Sequence, residues 1–351
     1  MTAIIVVVTI LLVLEFALLS YKKNFSVRDA KLHEQNQKLK TTTVSFLAFG
    51  DINLGRTVGQ KILNGDVDYP FKKYNIREDS ADIVFANLEC QVSFQNNETV
   101  HPKYNLVFTA PPEAATTLQN SGIDVVSTAN NHALDYGYNA LRETIEHLNK
   151  ANILFVGTSN NEKTLFDPLI IEKNNIKIAI FAVTSFVNIA LKGWKKSIAS
   201  PDTAVLKSNI AHIRDSVDVV ILSYHGGVEY RDAPIKKVQD FAEWCTSNGV
   251  DIFLGHHPHV TYGVERKGKT FIVHSLGNFI FFQPQHYWTQ RSYGLKFVFE
   301  KNDSTTNIDI QQFIPMNVSM QTKRLRDSVE IKKLFNRTQQ LSNFDLTQYW
   351  N

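Results

Sequence analysis

The feature of this sequence that most constrains its fold is a repeated alternation of short apolar runs with amphipathic helical patterns. Eight runs, rich in β-branched and aromatic residues, predict buried strands. They are Val44–Phe49, Asp82–Ala86, Asp124–Ser127, Ile153–Val156, Ile176–Val183, Asp218–Ser223, Asp251–Leu254 and Phe271–His274. Apolar residues at three- and four-residue spacing predict helices over Ala140–Lys150 and Pro234–Ser247. The alternation predicts an α/β fold, with an antiparallel portion between Leu295 and Phe313.

The composition is that of an ordinary globular protein. Of its 351 residues, 43% are hydrophobic and 20% are charged. The formal net charge of +3 is too small to argue for a nucleic-acid partner, and none is expected. Cys90 and Cys245 form no CxxC pair, so we expect two buried thiols rather than a zinc site or a disulfide.

The chain begins with an apolar segment. Residues 3–14 are almost unbroken apolar, and the pattern resumes over residues 16–19 after Glu15. This length is at the short end for a bilayer span, and we predict an N-terminal transmembrane helix within an anchor of residues 1–21. A cleaved signal peptide is less favoured because no A-x-A-like site follows. A buried core helix is the remaining alternative.

Three further regions follow the predicted anchor. Residues 22–42 are polar and predict a linker, residues 43–315 form the predicted domain, and residues 316–351 are a polar tail without an assigned role. No Lys or Arg precedes the apolar segment, whereas several follow it: Lys22, Lys23, Arg28 and Lys31. The positive-inside rule alone would therefore place the domain in the cytoplasm.

Polar side chains cluster where the predicted strands end. Asp51 follows the first run, Glu89 the second and His225 the sixth. The third run is followed by Asn130, Asn131, His132 and Asp135. Ligand-binding residues of α/β proteins collect at the carboxyl ends of strands. Each cluster alone has a structural alternative, such as a helix-capping aspartate or an Asn-rich turn.

Three histidines in four positions are harder to explain structurally. The segment is Gly255-His256-His257-Pro258-His259, and it follows a predicted strand. In an extended loop, His257 and His259 would point to the same side, as i and i+2 residues do. Two imidazoles that converge on one point indicate a metal site. His256 would point away and is the weaker ligand candidate.

Together, the strand ends supply more ligands than one tetrahedral ion needs. The candidate metal ligands are Asp51, Glu89, Asn131, His225, His257 and His259. Mixed oxygen and nitrogen ligands suit Mn, Fe or Zn better than Ca or Mg. We therefore predict two divalent transition-metal ions that share a bridging carboxylate.

The order of these motifs resembles the calcineurin-like metallophosphoesterases, whose usual pattern is D-x-H, G-D, G-N-H-D/E, an isolated H, and G-H-x-H. The corresponding segments are Asp51-Ile52-Asn53, Asn87-Leu88-Glu89, Asn130-Asn131-His132, His225 and His257-Pro258-His259. Asn53 takes the place of the first histidine and Glu89 that of the bridging aspartate. These departures, with Gly55-Arg56 and Ser275-Leu276-Gly277-Asn278-Phe279, look like the CapA branch, also known as PgsA. The resemblance runs from about Val44 to Phe282.

This resemblance implies a four-layer α-β-β-α sandwich with metals at its edge. It also implies a membrane-anchored role in making, exporting or anchoring poly-γ-glutamate at the cell envelope, with other membrane subunits of a capsule synthase as partners. The domain would then lie outside the cytoplasmic membrane. This conflicts with the charges after the anchor, and we expect the external location, because a few lysines give only modest orientation evidence.

The hypothesis for the chemistry is a metal-dependent hydrolase. His132 would protonate the leaving group, and Asp135 would fix its orientation. Arg56, Asn130 and Glu229 would bind poly-γ-glutamate or another anionic substrate. The sequence leaves open a phosphoester or an amide as the scissile bond, and a hydrolase unrelated to capsule. It also leaves open a non-catalytic subunit that binds a polyanion for a membrane synthase.

Overall fold

The computed structural model describes residues 21–23, 41–303 and 305–350. Residues 1–20 of the predicted anchor, which spans residues 1–21, and most of the predicted linker lie outside the described residues. Within the described ranges, no helix is both long and apolar enough to cross a bilayer.

The larger sheet contains eight strands: β1 (Thr42–Ile52), β2 (Ile83–Leu88), β5 (Val125–Ser127), β6 (Leu154–Val156), β13 (Asn278–Ile280), β14 (Arg291–Lys301), β15 (Thr306–Asn317) and β16 (Lys323–Arg324). Their order is β16-β15-β14-β1-β2-β5-β6, with β13 beside β1. Strands β1, β2, β5 and β6 run parallel. The antiparallel portion predicted from the sequence is the pair β14 and β15, which pairs with β1 through β14.

The second sheet contains six strands: β7 (Leu169–Lys173), β8 (Ile176–Thr184), β9 (Val219–His225), β10 (Ile252–His256), β11 (Val264–Lys267) and β12 (Thr270–Val273). Their order is β11-β12-β10-β9-β8-β7. The central strands β8, β9, β10 and β12 are parallel. A short ribbon of β3 (Gln91–Val92) and β4 (Thr109–Ala110) lies apart from both sheets.

Six α-helices accompany the sheets in the described residues. They are α1 (Arg56–Leu63), α2 (Ala114–Ser121), α3 (Gly137–Lys150), α4 (Thr203–Ile213), α5 (Lys236–Ser247) and α6 (Ser328–Gln340). Helices α1 and α2 bury Val58, Ile62 and Leu118 in one core on the outer face of the larger sheet. Helices α4 and α5 bury Leu206 and Ala242 in another core on the outer face of the second sheet.

A third core lies between the two sheets. Alternation along β1 explains it: Phe46 points into this core, whereas Leu47 joins the core on the helical side. Phe271 of the second sheet meets Phe297 of the larger sheet, with ring centroids 5.7 Å apart. The layers therefore follow the order helix, sheet, sheet, helix, and the predicted α/β class is confirmed as a mixed fold with several sheets. Cys90 and Cys245 are buried free thiols in separate cores.

The residues after β15 pack against the same domain. Trp350 stacks on Phe313 of β15, with ring centroids 4.9 Å apart and an interplanar angle of 16°. Helix α6 begins at an Asp327 cap, whose carboxylate accepts hydrogen bonds from the N–H groups of Val329 and Glu330. The C-terminal segment thus adds an ordered edge to the fold.

The two sheets bring their parallel strand ends together at one edge. In the larger sheet, Asp51 of β1 is in register with Asn87 of β2. In the second sheet, His225 of β9 is in register with His256 of β10. Side chains that are far apart in sequence therefore meet at this edge.

Candidate metal centre

Glu89 is at the centre of this site. It directly follows β2, is fully buried, and its N–H donates to the carbonyl oxygen of Ile52 at 2.8 Å, which fixes its backbone against β1. Neither of its carboxylate oxygens has a hydrogen-bond partner in the part of the chain that the structure describes. A buried carboxylate in this state is unfavourable unless a cation compensates it.

Glu89 belongs to two groups of candidate ligands. One group is Glu89, His225 and His257, and the other is Asp51, Glu89 and His259. In each group the ligand atoms lie within 4.8 Å of one another. Asn131 adjoins the first group, because its Oδ1 lies 2.7 Å from His225 Nε2. The structure thus brings together all six residues that the sequence predicts as metal ligands, in two sets that share one carboxylate.

Asp51 is held by groups from both sheets. Its Oδ1 accepts a hydrogen bond from Asn87 Nδ2 at 2.9 Å, and its Oδ2 accepts one from the N–H of His257 at 3.3 Å. Nδ1 atoms of His256 and His259 each lie 3.3 Å from an oxygen of this carboxylate. This arrangement fixes the position of Asp51 before any ligand binds.

The electrostatic environment of the site shifts the pKa values of Asp51 and Glu89 in opposite directions. Burial would raise the pKa of Asp51, but hydrogen bonds and charge from His256 and His259 lower it well below its ordinary value. Burial, together with the charges of Asp51 and Glu229, raises the pKa of Glu89 well above its ordinary value. In a metal-free site, Glu89 is therefore the carboxylate that lacks compensating positive charge.

Two of the buried imidazoles, His225 and His257, are neutral and suited to ligation. Burial, with the neighbouring His257, lowers the pKa of His225 well below its ordinary value. Burial and the nearby His259 lower the pKa of His257 to about 3. Neutral imidazoles keep a lone pair for a cation.

The histidine loop reaches this arrangement differently from the sequence prediction. His257 and His259 do converge, with ring centroids 5.9 Å apart. The loop is not extended, however, because their φ angles are +96° and +60°. These left-handed backbone conformations are uncommon outside glycine, and such outliers concentrate at functional sites. The predicted i and i+2 geometry was wrong as the reason for their convergence.

His132 lies beside the two groups and is oriented by a carboxylate. Its Nδ1 is 2.7 Å from Oδ2 of Asp135, and its Nε2 is 3.9 Å from Oε1 of Glu89. Asp135 Oδ2 also accepts a hydrogen bond from the N–H of Phe108 at 3.1 Å. The Phe108 ring stacks on His132 at 4.2 Å. Burial raises the pKa of Asp135, although its hydrogen bond with His132 opposes this shift.

The residues predicted to bind substrate lie in three different settings. Arg56 is half-buried at the start of α1, and its guanidinium carbon lies 5.9 Å from the Phe108 ring centroid. Glu229 is exposed, and its carboxylate groups with His257 and His259 as a further candidate ligand. Asn130 is buried, with Nδ2 donating to the carbonyl oxygen of Leu88 at 2.7 Å. Its amide braces the loop, and a contact with substrate stays a prediction.

Several residues of the site were not among the predicted ligands. His256 was expected to point away, but it is fully buried beside Asp51. Asn87 donates to Asp51, and Asn278 Oδ1 accepts from His259 Nδ1 at 2.9 Å. Asn188 Nδ2 lies 3.4 Å from His132 Nε2. The strand-end segments containing Asn87 and Asn278 carried a signal, whereas Asn188 lies in a loop without a recognisable motif.

The residues present fit divalent metal ions. Two oxygens of Glu89 and the Nδ1 atom of His257 are buried without hydrogen-bond partners among the described residues. Each is a ligand type that Mn, Fe and Zn accept. Hydrogen bonds from Asn87 and Asn278 also orient ligating side chains, as outer partners do in metal sites.

The fold and these side chains define an α/β protein with a candidate metal centre at the edge of two packed sheets. Residues 45–283 match the family described as bacterial capsule synthesis protein PGA_cap, and this chain belongs to that family. The resemblance to the CapA branch that was inferred from the sequence is therefore confirmed.

Two relatives extend the similarity over most of the chain. The capsule biosynthesis protein CapA of Bacillus anthracis is 29% identical over 295 residues, which cover 82% of this chain and 69% of the relative. The PGA biosynthesis protein CapA of Bacillus subtilis (strain 168) is 28% identical over 330 residues, which cover 88% of this chain and 82% of the relative.

Solved structures are more distant. A candidate 5′-nucleotidase from Staphylococcus aureus, in complex with alpha-ketoglutarate, aligns with a TM-score of 0.48 and 14% identity. The alignment covers 85% of this chain and 58% of that structure. The 5′-nucleotidase from Candida albicans SC5314 aligns with a TM-score of 0.39 and 10% identity, over 77% of this chain and 51% of that structure.

Proposed function

We propose that this protein is a membrane-anchored component of poly-γ-glutamate capsule biosynthesis or export that binds two divalent transition-metal ions and hydrolyses a bond in an anionic substrate. The capsule role is supported by the family and by the names of the two CapA relatives. The hydrolytic role is supported by the site itself. The observation that carries it is the buried Glu89 carboxylate, which is shared by two sets of candidate ligands.

The proposed ligands divide by element. Asp51 from β1 and His259 from the loop after β10 would hold one ion, while His225 and His257 would hold the other with Asn131 beside them. Glu89 belongs to both sets. The chemistry that a pair of such ions supplies when bound is a nucleophilic water at neutral pH and compensation of developing negative charge.

His132, assisted by Asp135, supplies the proton that the leaving group needs. His132 Nδ1–H donates to Asp135 Oδ2, which leaves Nε2 on the side of Glu89. A protonated His132 donates from Nε2 to the leaving oxygen or nitrogen as the scissile bond breaks. Asp135 stabilises the protonated ring and fixes its tautomer. The stacked Phe108 restrains the ring plane.

The proposed cellular location of the domain follows from the proposed substrate. Capsule polymer accumulates outside the cell, so a domain on the outer side of the cytoplasmic membrane meets the product as it emerges. We infer a single-pass anchor within residues 1–21 and an extracytoplasmic domain, in contact with other membrane subunits of the synthase.

Turnover assays test the proposed hydrolase. Full-length protein in detergent would be freed of metal and assayed with added Mn²⁺, Fe²⁺ or Zn²⁺ on aryl phosphodiesters, γ-glutamyl anilides and poly-γ-glutamate. We expect metal-dependent cleavage of at least one class, its loss in the double variant His257→Ala, His259→Ala, and its retention in the exposed control His212→Ala. If the polymer binds but is not cleaved under any of these conditions, the protein is a non-catalytic, polymer-binding subunit and the proposed hydrolase is wrong.

A further inference from the structure

Asn53 carries an amide group whose hydrogen bonding is only half satisfied. Its Oδ1 accepts a hydrogen bond from the N–H of Gly55 at 2.9 Å. Since a backbone N–H can only donate, this contact fixes which end of the amide is oxygen. The Nδ2 atom is buried and has no hydrogen-bond partner among the described residues. A buried donor in this state calls for an acceptor from outside the chain.

This orientation also decides what kind of ligand Asn53 takes. An amide ligates a cation through its oxygen, whereas its NH₂ group only donates hydrogen bonds. The oxygen of Asn53 is already committed to Gly55. The free end is therefore suited to an oxygen acceptor, such as a carboxylate, and not to a metal ion.

Arg56 supplies a positive charge three residues later, from a constrained backbone. Its φ of +53° lies in the left-handed region, which residues other than glycine and asparagine seldom adopt. Two hydrogen bonds with Thr99 hold this conformation: the N–H of Arg56 donates to the Thr99 carbonyl oxygen at 2.8 Å, and Thr99 Oγ1 donates to the Arg56 carbonyl oxygen at 2.7 Å. In the described parts of the chain the guanidinium forms no ion pair. Strain retained at an uncompensated arginine points to a binding role.

Two cavities meet at Arg56. The smaller, of about 80 Å³, is lined by Asn53, Arg56 and Phe281 among others. The larger, of about 670 Å³, is lined by Arg56, Gln60 and Thr99 among others. Both include Thr57. The smaller cavity suits one carboxylate group, and the larger has the volume of a typical ligand site.

We propose that Asn53 and Arg56 form a carboxylate-binding subsite beside the metal centre. The guanidinium of Arg56 pairs with one glutamyl carboxylate of a polyanionic substrate, and Asn53 Nδ2 donates to the same group. The neighbouring residues of the polymer occupy the larger cavity. This inference rests on the proposed function for its substrate class, although its binding test needs no turnover.

The test is calorimetric titration of full-length protein in detergent with a γ-linked glutamate pentamer at low salt. The matched ligand is the γ-linked isoglutamine pentamer, in which each free α-carboxylate is replaced by an uncharged amide. We expect Arg56→Met to weaken binding of the glutamate pentamer by about 10-fold or more, and Asn53→Ala by about 3–10-fold. Arg56→Lys should restore only part of the affinity, since an ammonium lacks the planar fork. The exposed control Arg142→Met on α3 should bind as the wild type does.

A further variant separates binding from folding. Glycine adopts φ of +53° without strain, so Arg56→Gly should unfold at or above the wild-type temperature and yet bind the pentamer as weakly as Arg56→Met. Metal content should be unchanged in all of these variants.

The outcomes distinguish this subsite from the metal centre. Unchanged pentamer affinity in both Asn53→Ala and Arg56→Met overturns the subsite and leaves the metal centre standing. Loss of metal from Asn53→Ala makes Asn53 a ligand and also overturns it, as does equal binding of the two pentamers by the wild type. Weakened binding in these variants supports the subsite even if the wild-type protein retains no metal.

Discussion

The Oε1 atom of Glu89 lies 3.7 Å from the Nε2 atom of His259. The same oxygen lies 3.8 Å from His225 Nε2 and 3.9 Å from His132 Nε2. Three imidazoles from separate loops and strands therefore surround one buried carboxylate oxygen. Burial has made two neighbouring histidines, His225 and His257, weak bases, so protonation of these rings does not balance Glu89 at neutral pH. Bound cations would supply the missing charge.

Metal binding should stabilise the folded protein. Adding Mn²⁺ or Zn²⁺ to metal-free protein at about 100 times its dissociation constant should contribute about 2.7 kcal/mol, which corresponds to a rise of roughly 5 °C in unfolding temperature. The double variant His257→Ala, His259→Ala should show no such rise, and His212→Ala should show all of it. A thermal melt with and without chelator makes the measurement. An equal rise in the double variant would place the responsible metal elsewhere.

His132 should affect turnover without affecting metal content. If its Nε2 protonates the leaving group, His132→Ala should lower turnover of a substrate with a poor leaving group by about 10²–10⁴-fold. A substrate with a good leaving group needs no proton and should be cleaved at nearly the wild-type rate. Steady-state kinetics on the two substrates, with elemental analysis of the variant, provides the test. Loss of metal would instead identify His132 as a ligand.

The carboxylate of Asp218 should make the free energy of unfolding depend on pH under acidic conditions. Burial would raise the pKa of this carboxyl, but hydrogen bonds from the Lys177 N–H and from Lys301 lower it below its ordinary value. Because the pKa of Asp218 is lower in the folded than in the unfolded protein, its carboxylate stabilises the fold fully above the unfolded-state pKa of about 3.9. This stabilisation is lost as the pH falls through the folded-state pKa. Because Lys177 and Lys301 belong to different sheets, Asp218 links the two.

Asp218→Asn should therefore cost about 1 kcal/mol at pH 7, after allowance for solvent screening. The difference from wild type should shrink below about pH 4, when the wild-type carboxylate protonates. Urea unfolding at pH 7 and pH 3 measures both values, with the exposed Asp215→Asn as control. A cost that persists unchanged at pH 3 would show that charge is not responsible.

The domain should be accessible from outside the cell. Protease added to wall-stripped or outer-membrane-permeabilised cells should digest the domain while a cytoplasmic marker survives. The basic residues after the apolar segment argue for the opposite orientation, so the experiment decides between two physical rules. A domain that resists protease until the cytoplasmic membrane is lysed would exclude contact with external polymer and leave only precursors as substrates.

The strands that position the site were predictable from the sequence because each contains a distinct run of apolar residues. Strand β1 carries the apolar run of residues 46–49 shortly before Asp51, and β9 carries the apolar run of residues 219–222 shortly before His225. A parallel sheet buried on both faces requires such runs, and the carboxyl ends of its strands collect ligands.

The details of the site depend on contacts that no local pattern records. His256 faces Asp51 because the two sheets pack together, and a sequence does not show which strands of separate sheets face each other. The left-handed backbone at His257 and His259 likewise has no glycine to signal it. By contrast, the start of α6 carried a usable signal in its Asp327 cap, which the polar composition of the segment obscured.

Metal stoichiometry is the measurement that tests the shared-carboxylate centre most directly. Elemental analysis would compare wild type, His225→Ala and Glu89→Gln after reconstitution with a single metal and removal of excess. Because Glu89 belongs to both ligand sets and His225 to only one, we expect two ions per chain in the wild type, one in His225→Ala and none in Glu89→Gln. A wild-type protein without bound metal, or a Glu89→Gln variant that keeps both ions, would contradict the account.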